Sequence, residues 1–372
     1  MPEPLFLLLY RSQGESAAER AVDGARAAAL RDTVARARAA GFERILLATT
    51  DSRPFTTVPG LEIQVDEGDA PFAVRLRDLL GQLRPASLCY AGGGMPGFRP
   101  THWRELRERL EAGESWTNNL YSSDVLATPL VDELTTIPDA LTDNGLALHL
   151  RDSAGAEIGV LPRSAATLLD IDTPADLRIL ARCADLATID LGPDLRASLQ
   201  SCPAWVLDAP SDLDQALALF TTRETEVLVV GRVASAVWQA LESETACRVR
   251  VISEERGLRV RPGQQARSLL GFHLDAVGPR NLIDALGELG DAVFLDTRPL
   301  FGHLGWRPSR ADRFRSDAGD WEAIEHDDLR EFTRAAGESR VPIVLGGHSL
   351  VSGGLLAAID LAWSRWERAQ DR

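Results

Sequence analysis

The chain of 372 residues contains no lysine; all 40 of its basic residues are arginine. This excludes Schiff-base chemistry and a Walker-type phosphate loop, both of which need an amine. Arginine binds phosphate through a planar fork and is not a like-for-like replacement for a flexible ammonium. A GC-rich genome accounts for the bias, and the chemical consequence holds whatever its cause. Cysteine is also scarce. Cys89, Cys183, Cys202 and Cys247 show no paired spacing and sit in or near apolar stretches. They read as reduced core residues of a cytoplasmic protein. No apolar run reaches the roughly 18 residues of a membrane span. The opening MPEPLFLLLY lacks a basic region and a cleavage site, so it reads as a buried first strand and not a signal peptide. A basic balance is missing too: the net charge of −15 argues against nucleic acid as a partner.

What is present predicts an α/β protein with two open, mostly parallel sheets. The length suggests two domains, and 45% apolar content supplies their cores. Pro4–Tyr10 is the pattern of a strand covered on both faces. Ala25–Ala40 reads as a helix closed by Gly41, Ile45–Thr49 and Leu61–Val65 as strands, Ala70–Leu83 as a helix and Ala86–Tyr90 as a strand. Such alternation implies right-handed crossovers. Asp143-Asn144-Gly145 signals a turn, Ala147–Leu150 a strand, and Asp152–Gly155 a hairpin into Ile158–Leu161. Gly192-Pro193 reads as a linker between a domain spanning 1–190 and a Rossmann-like domain spanning 195–372. In the latter, Ala204–Leu207, Glu226–Val230, Arg248–Ile252, Ala292–Leu295 and Val341–Leu345 each end on a polar or glycine tip. Five strands are expected there, with the tips on one carboxyl edge.

The stretch Leu168–Leu180, LLDIDTPADLRIL, stops an apolar run at Asp170 and Asp172. Thr173 then suits an N-cap and Pro174 the first helical position. A strand handing over to a helix at a ligand-binding rim is one reading; simple punctuation of a strand end is the other. DIDTPADL resembles the closing motif of GT-A-type nucleotidyltransferases, nearest to the guanylyltransferases that load molybdopterin or 2-phospholactate. The resemblance covers roughly the first half of the chain. It implies a GT-A domain that takes a nucleoside triphosphate, transfers the monophosphate to a small phosphorylated acceptor, and holds Mg2+ through Asp172; Asp170 and Asp124 are the further carboxylates that could join it.

The resemblance also implies a glycine-rich nucleotide loop after the first strand. RSQGESAAER stands there, offering Arg11, Ser12, Gly14 and Arg20 as phosphate contacts, or forming an ordinary strand-to-helix loop. It implies a Gly-Asp-x-Pro segment after the central strand. Here Gly93-Gly94-Met95-Pro96 puts Gly94 in place of a metal-binding aspartate, although a glycine run lets backbone approach a ligand. WTNNLYSSDVLATP gathers Asn118, Asn119, Ser122, Ser123 and Asp124. These suit hydroxyl or amide recognition, with Asp124 able to supply the missing carboxylate, or else a capped polar turn.

In the second half, Arg232, Arg256, Asp296 and Arg298 lie at strand tips, and GGHSLVSGG brings His348, Ser349 and Ser352 to a helix start that favours an anion. Asp296–Asp317 concentrates Arg298, His303, Arg307, Arg310, Arg313 and Arg315, a positive focus in an acidic chain or a solvated surface loop. The run G-H-S-L-V does not match the G-x-S-x-G nucleophile elbow. Three functions follow: a magnesium-dependent nucleotidyltransferase; an inactive nucleotide- or sugar-phosphate-binding protein; or an enzyme centred on the C-terminal domain and acting on an anionic metabolite. Any of them is compatible with a homo-oligomer without membrane attachment.

Overall fold

Two sheets organise the computed structural model, which describes residues 3–12, 14–66, 70–208, 213–254 and 266–371. Contacts divide the chain into two units. The first takes residues 1–13, 23–168 and 190–195; the second takes 14–22, 169–189 and 196–372. No helix among the described residues is long and apolar enough to cross a membrane.

The first unit holds seven strands: β1 Leu5–Tyr10, β2 Ile45–Thr49, β3 Glu62–Val65, β4 Leu88–Gly92, β5 Ser115–Thr117, β6 Val125–Thr128 and β7 Ile158–Val160. Their order is β3-β2-β1-β4-β6-β5-β7. β1 pairs in parallel with β2 and β4, while β6 runs antiparallel to both β4 and β5. The continuous apolar run LFLLLY is explained by its position. Phe6, Leu8 and Tyr10 face one core with Leu30, Val34 and Trp103, and Leu5, Leu7 and Leu9 face another with Leu76, Leu79 and Leu80. A strand at the centre of a parallel sheet must be apolar on both sides. Trp103 is fully buried, edge-on to Phe6 at 5.1 Å and tilted over Phe98 at 4.6 Å.

The second unit holds four parallel strands: β8 Glu226–Gly231, β9 Arg248–Ser253, β10 Ala292–Asp296 and β11 Ile343–Gly346, in the order β11-β10-β8-β9.

Three expected strands are helical instead. Ala147–Leu150 lies inside the helix Leu146–Ala154, whose buried Leu146, Ala147 and Leu150 form one helical face. Gly155, at φ 63°, caps that helix, so 152–155 is a helix end and not a hairpin. Ala204–Leu207 is one helical turn entered from Pro203 and closed by Asp208 N–H on the Ala204 carbonyl. Ala165–Leu168 is a short helix as well, so Asp170 and Asp172 join two helices and do not end a strand. All three are short apolar runs, which strand and helix share.

Gly192-Pro193 is tied down locally. The Asp32 carboxylate accepts the N–H of Asp194 at 3.1 Å and of Leu195 at 2.9 Å. Burial pushes the Asp32 carboxyl up in pKa, and these two donations work against it. A side chain at Gly97 would place its Cβ 2.6 Å from Ala166 Cα and 2.7 Å from the Ala166 carbonyl oxygen. Backbone cannot yield as a side chain does. Gly97→Ala is therefore expected to destabilise by about 1–3 kcal/mol, read as a lower urea midpoint at unchanged slope.

Candidate functional site

In an open α/β sheet, ligands sit outside the carboxyl ends of the strands, where the strand order reverses. In the first sheet the chain moves outward from β1 to β2 and β3, then returns to place β4 on the other side of β1. The crevice therefore opens between Tyr10–Ser12 and Gly92–Gly94. Gly93 and Gly94 are buried there, and a Cβ on Gly93 would come 3.3 Å from Tyr10 Cδ2. Glycine lets these two walls approach.

The antiparallel β6 delivers a carboxylate to the same edge. Gly92 donates its N–H to the Asp124 carbonyl at 2.8 Å. Asn118, fully buried, braces this corner. Its Oδ1 accepts the N–H of Asp124 and of Val125, each at 3.0 Å, and its Nδ2 donates to Asp124 Oδ2 at 3.2 Å and to the Thr167 carbonyl at 3.1 Å. The sequence marks Asn118 as a ligand contact, but burial makes it a positioning residue for Asp124. Asn119 is half-buried and caps its own turn, its Oδ1 accepting the Tyr121 N–H at 3.2 Å. Ser123 is buried and bonded to the carbonyls of Asp143 and Asn144, a structural tie. Asn118→Ala would leave two N–H groups and a carbonyl without partners. We expect a loss of about 3 kcal/mol, measurable by denaturant titration.

The opposite wall is Tyr10, Arg11 and Ser12. The Tyr10 hydroxyl donates to the Asp23 carbonyl at 3.1 Å, and Ser12 Oγ donates to Asp23 Oδ2 at 3.3 Å. Burial, with the Asp23 charge behind it, pushes the Tyr10 hydroxyl up to about 12, so it stays a donor at neutral pH. Arg11 reaches the Ala70 carbonyl at 3.3 Å. Gly14 and Arg20 group with the second unit, where Gly14 is half-buried and Arg20 is exposed and bonded to the Glu15 carbonyl.

In the second sheet the order reverses between β8 and β10. An ion pair fills that point: Arg232 meets Asp296 through Nε–Oδ2 at 2.6 Å and Nη2–Oδ1 at 3.1 Å. Gly231 permits the approach, with φ 130° and a virtual Cβ only 2.4 Å from Asp296 Cβ. Asp296 also accepts the Arg298 N–H at 3.2 Å. The Arg298 fork grips Asp317 at 2.8 and 2.6 Å and donates to Thr297 Oγ1 at 2.7 Å. Burial works against its charge, but Asp317, helped by Asp296 and Asp172, more than compensates and raises its pKa.

Asp170 and Asp172 precede the helix Pro174–Arg182 in this second unit. Thr173 and Asp176 form a reciprocal cap: Asp176 Oδ2 accepts the N–H of Asp172 at 3.0 Å, the N–H of Thr173 at 2.8 Å and the Thr173 hydroxyl at 2.9 Å. Burial, then the Asp172 charge, push the Asp176 carboxyl up to about 7. The T-x-x-D spacing of this cap was readable in the sequence. Asp172 itself is exposed, and no described residue donates a hydrogen bond to its carboxylate. Asp170 is half-buried; its Oδ1 accepts the Ile171 N–H at 3.0 Å, and its backbone exchanges bonds with Ser349 Oγ at 2.7 and 3.3 Å. The Ser349 hydroxyl is thus committed, Ser352 is buried in a non-helical turn at φ −126°, ψ −113°, and His348 is half-buried. Arg256 lies outside the described residues.

Among the described residues no three His, Cys, Asp or Glu side chains converge as a metal cluster. Magnesium needs only one or two carboxylates and completes its shell with water and phosphate oxygens. The exposed Asp172 carboxylate fits that chemistry, as does the braced Asp124. These two fall in different units, Asp124 in the first and Asp170 and Asp172 in the second.

No protein-family model matches the chain, and no curated protein matches it. Solved structures do show similarity. A protein of Desulfovibrio desulfuricans assigned as a nucleotide-diphospho-sugar transferase is 12% identical, with 56% of this chain and 98% of that chain covered, at a TM-score of 0.42. A cytidylyltransferase from Leptospira borgpetersenii is 15% identical, covering 56% of this chain and 97% of that chain, at a TM-score of 0.40.

Proposed function

We propose that the protein is a nucleotidyltransferase whose nucleoside triphosphate binds at the crevice between β1 and β4. The observation that carries this reading is the pairing, at one reversal point, of a buried glycine wall with the carboxylate of Asp124 held by Asn118. The DIDTPADL resemblance supports it and puts guanosine triphosphate first among the bases to test. Arg11 and Ser12 are the phosphate-facing groups of this unit, and the glycine run admits the ligand to backbone N–H groups. Asp124 is the carboxylate of this unit assigned to magnesium, which would supply charge neutralisation of the phosphates; the DIDTPADL resemblance gives a magnesium-holding role to Asp172. In the reaction, a phosphate oxygen of the acceptor attacks the α-phosphorus, the α–β bridging bond breaks, and pyrophosphate leaves.

A second reading is a nucleotide-binding protein without turnover, and Gly94 favours it, because glycine stands where the resembling family has a metal-binding aspartate. A thermal-shift panel of the four nucleoside triphosphates, with magnesium and with EDTA, tests binding. A ligand at a hundred times its Kd stabilises by about 2.7 kcal/mol, a shift of several degrees. The transferase reading expects at least one triphosphate to raise the midpoint, and to raise it further with magnesium. A shift indifferent to EDTA selects the second reading, and no shift with any triphosphate rejects both.

A further inference from the structure

The second unit has a cavity of about 580 Å³ that the proposed nucleotide site does not use. Three segments form it: residues 186–188, the end of the helix Ser235–Glu244, and one face of the helix Leu355–Gln370. On that last helix Asp360, Trp363, Ser364 and Glu367 stand at spacings of three and four, so they meet the cavity together. Trp363 is fixed in place. Its indole N–H donates to the Glu244 carbonyl at 2.7 Å, and Trp366 lies edge-on to its ring at 5.6 Å. With the N–H already used, Trp363 offers a ligand its ring.

Every charge on the cavity wall is negative: Glu244, Asp360 and Glu367 line it, and no arginine or histidine does. Asp360 is the half-buried one of the three. Burial pushes its carboxyl up in pKa, opposed by the Thr188 hydroxyl, and no described arginine forms an ion pair with it. Arg365, on the same helix, is committed to Asp214 at 2.7 Å, a carboxylate that Arg182 also grips at 2.9 Å. The helix Ser235–Glu244 ends at the cavity with no basic residue in its last turn, so its dipole adds to the negative potential. The acidic side chains do not converge as a metal cluster among the described residues, and a hydrated inorganic ion would leave the indole ring unused.

We propose that this cavity binds a small organic cation, a primary ammonium on an apolar body, with the ammonium against Asp360 and the body against the Trp363 ring. An ammonium has three donors, and the Asp360 carboxylate with the neighbouring Thr188 and Ser243 hydroxyls supplies acceptors. An indole ring attracts a cation and covers apolar surface at once. The cavity falls within the roughly 300–1,000 Å³ typical of small-molecule sites. The site lies in the second unit and does not require nucleotidyl transfer, so it goes beyond the function proposed above.

The test is calorimetric titration of the full chain with phenethylammonium and with its neutral counterpart, phenethyl alcohol. The proteins are wild type, Asp360→Asn and the charge-matched control Glu331→Gln, an exposed position outside the cavity wall. We expect wild type and Glu331→Gln to bind the ammonium alike. Asp360→Asn should bind it roughly tenfold more weakly or worse, the loss of one hydrogen bond to a charged group. Wild type should discriminate against the alcohol to a similar degree. Without ligand, Asp360→Asn should melt at the same temperature as wild type or higher, because it removes a charge that burial disfavours. No binding of the ammonium by wild type, equal binding by Asp360→Asn, equal affinity for the alcohol, or a midpoint lowered by several degrees in that variant would each overturn the assignment.

Discussion

Asp317→Ala is expected to cost about 3–5 kcal/mol of stability, the largest effect of any single substitution considered for the second unit. The side chain of Asp317 is fully buried and that of Arg298 is 15% exposed, so removal of the carboxylate leaves a cation with little water to replace its partner. The bonds from Arg298 to Thr297 Oγ1 and to the Gly346 carbonyl involve neutral acceptors and cannot balance the charge. Arg232 would not relieve it either, since it adds positive charge nearby and is already held by Asp296. Urea denaturation of the single variant and of Asp317→Ala combined with Arg298→Leu measures the effect. The double variant should recover most of the loss, because an apolar side chain has no charge to strand. A single-variant cost below 1 kcal/mol would mean that Arg298 finds water.

Asp172→Asn is expected to lower transferase turnover by about a hundredfold or more while leaving stability within about 0.5 kcal/mol. The contrast follows from the placement of the side chain. Its backbone N–H is held by Asp176, which the substitution leaves intact, while the carboxylate is exposed and receives no hydrogen bond from a described residue. Removing its charge also takes away one of the causes that push Asp176 toward the neutral form. In the fold the charge at residue 172 only assists Asp317 and Asp296 in holding Arg298 charged, and those two remain in the variant; the proposed chemistry needs it. Asp124→Asn should lose turnover too, with some stability, because Asp124 shares a hydrogen bond with the buried Asn118. Steady-state rates and melting curves on the same preparations check both, and an Asp172→Asn variant with undiminished turnover removes this residue from the reaction.

The longer elements were legible in the sequence. β1, β2 and β4 are apolar over five or six residues, which is too short for most helices and long enough for a core strand, and each is nearly or fully buried. The carboxyl tips of β8, β10 and β11 were legible for the same reason, whereas β9, RVRVIS, alternates arginine with apolar residues and is part-exposed. The four-residue run at Ala204 was not legible, because one turn of helix and one short strand bury an apolar quartet equally well. At Leu146 the helix announces itself only through Gly155, whose left-handed φ a hairpin turn would also want.

The candidate sites were legible in their outline and not in their partners. Asp296 and Arg298 stand out as tips, but what Arg298 binds is nineteen residues away on a helix, and only the packing of that helix brings Asp317 to it. Asn118 stands out as polar, and the burial that turns it into a brace for Asp124 depends on β6 folding back against β4.

The central claim is that the chain transfers a nucleotidyl group, and pyrophosphate release tests it most directly. Each of the four nucleoside triphosphates should be incubated with the full chain and a set of small phosphorylated acceptors, with magnesium and with EDTA. The account predicts acceptor-dependent pyrophosphate release from at least one triphosphate, abolished by EDTA. Tight triphosphate binding without pyrophosphate release under any of these conditions would contradict it.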